Sequence, residues 1–494
     1  MVAAILNIRV RFIFFLSLCL FVIAVFLYGA LNRLSIDVDN TTSTHNTPKH
    51  FQDIEVQRHK KYTISPEEKF LAYFSHSGYH NQRIALENAL LLAKLLNRTL
   101  LLPPAMLGRP LPWLAFDTMY RRLFVTTKTG IEYCKDISEN YPLPAECLDY
   151  FSYTIVSWDF LVDMDPINKW HRIMDRPEHS YEWLEKNLNI NQNNDIYFVK
   201  DTSRLDYRIY DTPNSTIPYS KYLRKMEISD LLAIDKKVIH FGSLFGSFRV
   251  VPEFPTNLEY ATFIRKHLIP TNSLIQNAAN RIINKLGGSK NFIGLHIRVS
   301  DGFFMKFARP NIDNIYHQII DTFTNLSPQE VDILEGGTHD SDILVDDTVD
   351  LGDPISRDFS TAAESYQKNI DLNILKEVKC RKPFHPTDKG VNTIIYIATD
   401  AESPRTNPLL FKFFNTFPCV FVLDDFDQEL AEMKSARNVE DKTPLANYLI
   451  PMLDAMISSK GFRFYGTPKS TFSNYIEKTL HPLYTGKELL IELV

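Results

Sequence analysis

The sequence has no basic excess: 54 Lys and Arg face 59 Asp and Glu, a formal net charge of −5. Nothing in the charge therefore points to nucleic acid as a partner. Cysteine is scarce. None of the five forms a Cys-x-x-Cys pair, which argues against a zinc ribbon. No helical or solenoid repeat period is visible. What remains is ordinary globular composition, 45% hydrophobic and 12% aromatic. At 494 residues the chain is too long for one ordinary core, so two domains are expected.

One stretch lacks charge altogether. Phe12–Leu31 (FIFFLSLCLFVIAVFLYGAL) has the length of a membrane-spanning helix, about 20 residues at 1.5 Å each. Arg9 and Arg11 precede it, and a positive flank on that side predicts a cytosolic tail (1–11), an anchor (12–31) and a lumenal body. A cleaved signal peptide has a shorter apolar region, and Tyr28 stands where a small residue is wanted, so an uncleaved anchor is expected. Ser35–Ile64 is polar and aperiodic, and 32–65 reads as a stem. Asn40, Asn97 and Asn214 each open an Asn-x-Ser/Thr triplet, usable for glycosylation in a lumenal body. Cys19 falls in the apolar run, which leaves Cys134, Cys147, Cys380 and Cys419. Cys134–Cys147 and Cys380–Cys419, nearest in sequence, are the first pairings to try, although spacing leaves connectivity open.

The body begins near Pro66. Phe70–Ser75 reads as a strand, Gln82–Asn97 as a largely buried helix capped by Asn81, and Thr99–Leu102 as the next strand. Strand, turn, helix and strand form a βαβ unit, which places the Gly78–Arg83 turn where such folds hold ligands. Gly78 and Asn81 either shape the turn and cap the helix or, with backbone amides and Arg83, face an anion. The region from Trp113 through Trp158, Trp170 and Trp183 is irregular and aromatic, fitting either core or an acceptor cleft. Pro252–Pro270, with three prolines, is expected to link an N-terminal domain (66–265) to a C-terminal one (266–494).

In the second domain a helix over Asn272–Leu286, stopped by Gly287-Gly288, leads into the apolar strand Phe292–Val299. His296, Arg298 and Asp301 lie at its carboxyl end. Arg298 offers a donor fork for phosphate, or pairs with Asp301. Pro328–Thr361, with ten acidic residues and one basic, reads as a solvated insertion. Its Asp340-Ser341-Asp342 matches a metal-holding spacing, a match expected by chance in so acidic a segment. Alternation then returns: strands at Thr393–Asp400, Cys419–Leu423 and Phe462–Thr467, and helices at Pro408–Asn415, Leu445–Lys460 and from Ser470. The turn Gly466–Phe472 puts small hydroxyl residues at a helix start, either a phosphate cradle or an ordinary Ser N-cap.

Four of these segments, in order, resemble the protein O-fucosyltransferase family. HSGYHNQR (His76–Arg83) is similar to its Gly-rich Asn-Gln-Arg signature, and His296-Ile297-Arg298-Val299-Ser300-Asp301 to its HxRxxD motif. TIIYIATD and FYGTPKSTFSNYI resemble its two later motifs. The resemblance implies an α/β, GT-B-like fold: two Rossmann-type domains facing a cleft, here preceded by the transmembrane helix. It implies inverting, metal-independent transfer of fucose from GDP-fucose to a lumenal protein or glycan, with no cofactor, in the Golgi or ER membrane. Arg298 would contact the pyrophosphate and assist departure of GDP, His296 the ribose region and Asp400 the guanosine. Ser470, Thr471 and Phe472 would bind phosphate, and Asn81 with Gly78 would approach from the N-terminal domain. Ser77 replaces a frequent glycine, Val299-Ser300 replaces a frequent Arg-Gly, and no acid occupies the Gly78–Arg83 loop. The base is thus His80, another acid, or none. Another GDP-sugar as donor, or a catalytically silent glycan- or protein-binding relative, also fits.

Overall fold

A computed structural model describes residues 52–56, 62–137, 141–335, 378–380, 389–489, 491 and 493. The expected tail 1–11, the anchor 12–31, Asn40 and Asp340–Asp342 lie outside the described residues. Among the described residues no helix is long and apolar enough to cross a membrane.

Two all-parallel sheets organise Phe51–Val494, which forms one compact unit. The N-terminal sheet has the spatial order Ile173–Asp175, Thr99–Leu102, Phe70–Tyr73, Val238–Phe241, Ile196–Val199. The C-terminal sheet has the order Val420–Phe421, Ile395–Thr399, Ile293–Ile297, Arg463–Gly466. Strands covered on both faces are mostly apolar, and Phe70–Tyr73, Val238–Phe241 and Ile293–Ile297 are buried at every position, His240 and His296 included. Helix Ala446–Ser459 packs against Ile293–Ile297 so closely that a Cβ on Gly294 would lie 1.9 Å from the Ser458 carbonyl oxygen. One apolar cluster runs from Leu71 and Tyr73 through helix Tyr79–Leu95 to Tyr396 and Met456, joining the two sheets' surroundings in a single core.

Both expected disulfides form, Cys134–Cys147 with Cα atoms 5.5 Å apart and Cys380–Cys419 with 4.7 Å. The helix expected over Asn272–Leu286 spans Ser273–Lys285. Asn272 Oδ1 accepts from the Leu274 and Ile275 amides, and Gly287 and Gly288 follow at φ +86° and +97°.

Three expectations are corrected. Pro252–Pro270 is not an unstructured linker. Pro255–His267 is a helix of 13 residues, because Pro255 occupies the first helical position, where its fixed φ helps and its missing N–H costs nothing. Part of the expected stem belongs to the fold: Gln52–Ile54 pairs in parallel with Ala436–Asn438, and Val56 is buried. The acidic insertion begins as a helix, Pro328–Glu335. Ser327 and Glu330 form a reciprocal cap there, the Ser327 amide donating to Glu330 Oε2 (2.8 Å) and the Glu330 amide to Ser327 Oγ (3.3 Å). Residues 336–361 lie outside the described ones.

Candidate functional site

In open parallel sheets, ligands bind at the carboxyl ends of strands, at the point where strand order reverses. In the C-terminal sheet the chain's first strand, Ile293–Ile297, lies between its second, Ile395–Thr399, and its fourth, Arg463–Gly466. The loops after Ile297 and Gly466 therefore leave from adjacent strands at a switch point. His296–Asp301 and Gly466–Phe472 are those loops.

They are tied together. The Thr467 amide donates to the His296 carbonyl (3.0 Å), and Thr467 Oγ1 accepts from the Arg298 amide (2.9 Å). His296 is buried, with Nδ1 2.7 Å from Ser473 Oγ. Burial, and then the neighbouring Arg298, push its pKa down to about 3, so the ring is neutral at physiological pH. A side chain on Gly466 would put its Cβ 2.6 Å from that of Ser473, so glycine is what lets the helix start approach the strand end.

Arg298 stands between two carboxylates. Its Nη2 pairs with Asp301, and its Nε lies 2.8 Å from Asp400 Oδ2 without hydrogen-bond alignment. Asp400 Oδ1 accepts from the Val299 amide at 2.7 Å. The guanidinium lies 5.3 Å from the centre of the Phe304 ring. Arg298 is 25% exposed and Asp301 60%, so the guanidinium reaches solvent and its outer partner is well hydrated. Of the two sequence readings of Arg298, the geometry shows the ion pair, on a loop that leaves a strand at the switch point.

Ser470 behaves as an N-cap, its buried Oγ accepting from the Ser473 amide at 3.2 Å, while Thr471 is exposed and Phe472 half-buried. Phe472 connects the two halves: its ring centre lies 5.2 Å from that of His296 and 5.3 Å from that of His80. Arg83 stacks on Tyr475 at 4.1 Å. The structure therefore brings the Gly78–Arg83 loop, His296 and the Ser470–Phe472 turn together.

Asn81 is not the cap of its helix. The helix begins at Tyr79 with Gly78 in the cap position, and the Gly78 carbonyl accepts from the Asn81 and Gln82 amides. The half-buried Asn81 side chain is left outside the capping role. Ser77 sits at φ +66°, a left-handed conformation glycine adopts more readily. Gln82 holds it there, donating from Nε2 to the Ser77 carbonyl (2.9 Å) and the Met106 carbonyl (2.7 Å). Arg83 is not available to an anion through Nη1, which bonds Glu87 Oε2 at 3.2 Å. His80 is buried against Phe472 and Tyr475, and burial followed by Arg83 pushes its pKa well below the usual value.

Comparisons with known proteins add little here. No protein-family model matches the chain, and no curated protein matches it by sequence. Solved structures that align include POFUT1 in complex with GDP (TM-score 0.35, 11% identity) and POFUT1 in complex with GDP-fucose (TM-score 0.34, 13% identity). Each alignment covers 86% of this chain and 98% of that one.

Several residues at these strand ends were not singled out from sequence. Thr467 and Ser473 bind His296 and Arg298 across more than 160 positions, a relation no local pattern reveals. At the N-terminal sheet's carboxyl edge, His76 Nε2 lies 2.7 Å from Ser243 Oγ, and the Ser243 amide donates to Asp201 Oδ1 at 3.2 Å. Burial raises the Asp201 carboxyl to about 6, although Trp113 Nε1, 3.4 Å away, opposes the rise. Of the tryptophans, Trp158 is buried, Trp113 and Trp183 half-buried and Trp170 exposed. Asn97 and Asn214 are both exposed.

Proposed function

We propose that this chain is a glycosyltransferase of GT-B-like architecture that transfers fucose from GDP-fucose to a protein or glycan. The observation that carries the reading is Arg298 at the switch point, flanked by neutral His296, Asp400 and the Ser470–Phe472 turn, with the Gly78–Arg83 loop packed against them. The HxRxxD-type motif and its three companions, in order along the chain, support the choice of donor.

In this reading the acceptor oxygen bonds to the anomeric carbon as the bond from that carbon to the β-phosphate oxygen breaks. Negative charge grows on the departing GDP, and Arg298 stabilises it more in the transition state than in the ground state. Asp400 keeps the guanidinium oriented while the hydrated Asp301 yields its place to phosphate. His296 presents a neutral donor–acceptor ring to the ribose. His80, buried under Phe472 and Tyr475, is not positioned to take the acceptor proton, so that proton leaves to a carboxylate or to the departing phosphate. The reaction so written needs no metal. Residues 12–31 would anchor the protein in the Golgi or ER membrane with the body lumenal.

A second reading keeps the cleft and drops the chemistry. The pairing of Arg298 with two carboxylates favours it, since both must be reconciled with an anionic donor. Incubating full-length protein with labelled GDP-fucose and glycoprotein acceptors separates the two. Transfer of fucose that Arg298→Ala abolishes supports the enzyme, whereas donor binding without transfer to any acceptor supports the silent relative.

A further inference from the structure

Helix Tyr79–Leu95, the segment Arg208–Tyr222, the turn at Ser247-Phe248 and the C-terminal run Thr471–Leu480 enclose a cavity of about 370 Å³. That is within the range of small-molecule sites. It touches the far side of the Thr471 turn, and neither Arg298 nor Asp400 lines it. Arg83, Arg208, Lys221, Arg265 and Lys478 line it against a single acid, Glu87.

That acid is already engaged. Glu87 Oε2 accepts from Arg83 Nη1 (3.2 Å) and Oε1 from Arg265 Nε (2.9 Å). Arg208 spends its donors on backbone carbonyls, those of Phe248 (3.0 Å), Pro218 (2.6 Å) and Leu493 (3.3 Å), and no carboxylate pairs with it among the described residues. Lys221 has no ion-pair partner among the described residues, and its ammonium loses proton affinity to burial and then to Arg208, Arg204 and Arg249. Two buried polar atoms of residues in the wall, Arg83 Nε and His80 Nδ1, have no hydrogen-bond partner among the described residues. Tyr222, Phe248 and Tyr475 place ring faces near Arg208, Arg265 and Arg83, softening the repulsion without neutralising it. Like charges gathered in a partly desolvated wall concentrate an anion there.

We propose that this cavity binds a small phosphate or sulfate ester, at a site that adjoins the one around Arg298 and shares Arg83 and Thr471 with it, but contains neither Arg298 nor Asp400. A tetrahedral oxyanion presents several acceptors to guanidinium forks and to a lysine on a flexible stem. The ligand bridges the N-terminal helix Tyr79–Leu95 to Lys478 and Asn474 of the C-terminal run.

The test is calorimetric titration of full-length Arg298→Ala protein, in which the switch-point contact is removed, with glucose 6-phosphate, glucose 6-sulfate and inorganic pyrophosphate. At least one probe is expected to bind saturably at submillimolar concentration, and the tighter of the two sugar esters identifies the source. Adding Lys221→Glu weakens that binding tenfold or more, and Lys221→Gln weakens it less. Wild-type protein, read the same way, serves should Arg298→Ala not fold. No saturable binding by any probe, or binding unaffected by both Lys221 substitutions, overturns the proposal.

Discussion

Arg298→Ala separates the two roles the geometry gives this residue. Its bonds to phosphate would be charge-assisted, worth about 1.5–3 kcal/mol. At 1.4 kcal/mol per factor of ten, GDP affinity falls about 10- to 100-fold. The fold should barely notice. Asp301 is 60% exposed, and pairs with so solvated a partner contribute about 0–1 kcal/mol. Asp400, left without the guanidinium, still accepts from the Val299 amide and remains partly hydrated. Titration calorimetry with GDP and urea unfolding read the two effects separately. Asp301→Asn is the complementary change: it frees Arg298 Nη2 and should tighten GDP binding about 2- to 5-fold, the equivalent of an exposed pair's worth. Unchanged GDP affinity in Arg298→Ala, or a loss of several kcal/mol of stability, refutes the reasoning. Either result would make Arg298 the structural partner of its two carboxylates and nothing more.

Glu87→Gln should destabilise by about 3–5 kcal/mol in urea titrations, because it strands the buried Arg83 and the half-buried Arg265 without their counter-charge. Burial raises the Glu87 carboxyl, but Arg265 and Arg83 more than offset this and hold it below the usual range. Its contribution is therefore present above the unfolded carboxylate pKa and is lost as pH falls. Asp454 runs the other way. Burial raises it to about 7 from 3.8, so the folded state holds a proton that the unfolded state releases. Stability from this group is full below about pH 4 and is lost as pH rises to about 7, and Asp454→Asn should flatten that part of the pH–stability curve. Ser473→Ala removes the partner of His296 Nδ1. It should raise the GDP dissociation constant several-fold and cost about 1–3 kcal/mol in unfolding, because the buried His296 ring nitrogen is left without its partner.

What the sequence made legible was local. The strands Phe70–Tyr73 and Ile293–Ile297 announce themselves by short, largely apolar runs, and helix Ser273–Lys285 by an Asn cap and a Gly-Gly stop. The disulfides are the two pairings nearest in sequence, Cys134–Cys147 and Cys380–Cys419, although spacing alone left connectivity open. Prolines misled at Pro252–Pro270, where one of three sits at a helix start and the others outside it. Asn81 misled as a cap because Gly78, without a side chain to bond, holds that position. Two of the motifs fall on the loops at the switch point, but they do not say what each residue does there. Ser470 is occupied as a cap, and Asp400 reaches Arg298 across about a hundred residues. The Phe472 ring between His80 and His296 joins three separated segments, which sequence spacing cannot express.

The most direct test of the central claim is thermal unfolding of the full-length protein with GDP, GDP-fucose, GDP-mannose and UDP-sugars, each with and without EDTA. Ligand at 100 times its dissociation constant stabilises by about 2.7 kcal/mol, a visible rise in midpoint. The account predicts a rise with GDP and GDP-fucose, larger than with GDP-mannose, absent with UDP-sugars and indifferent to EDTA. No rise with any guanine nucleotide would contradict it.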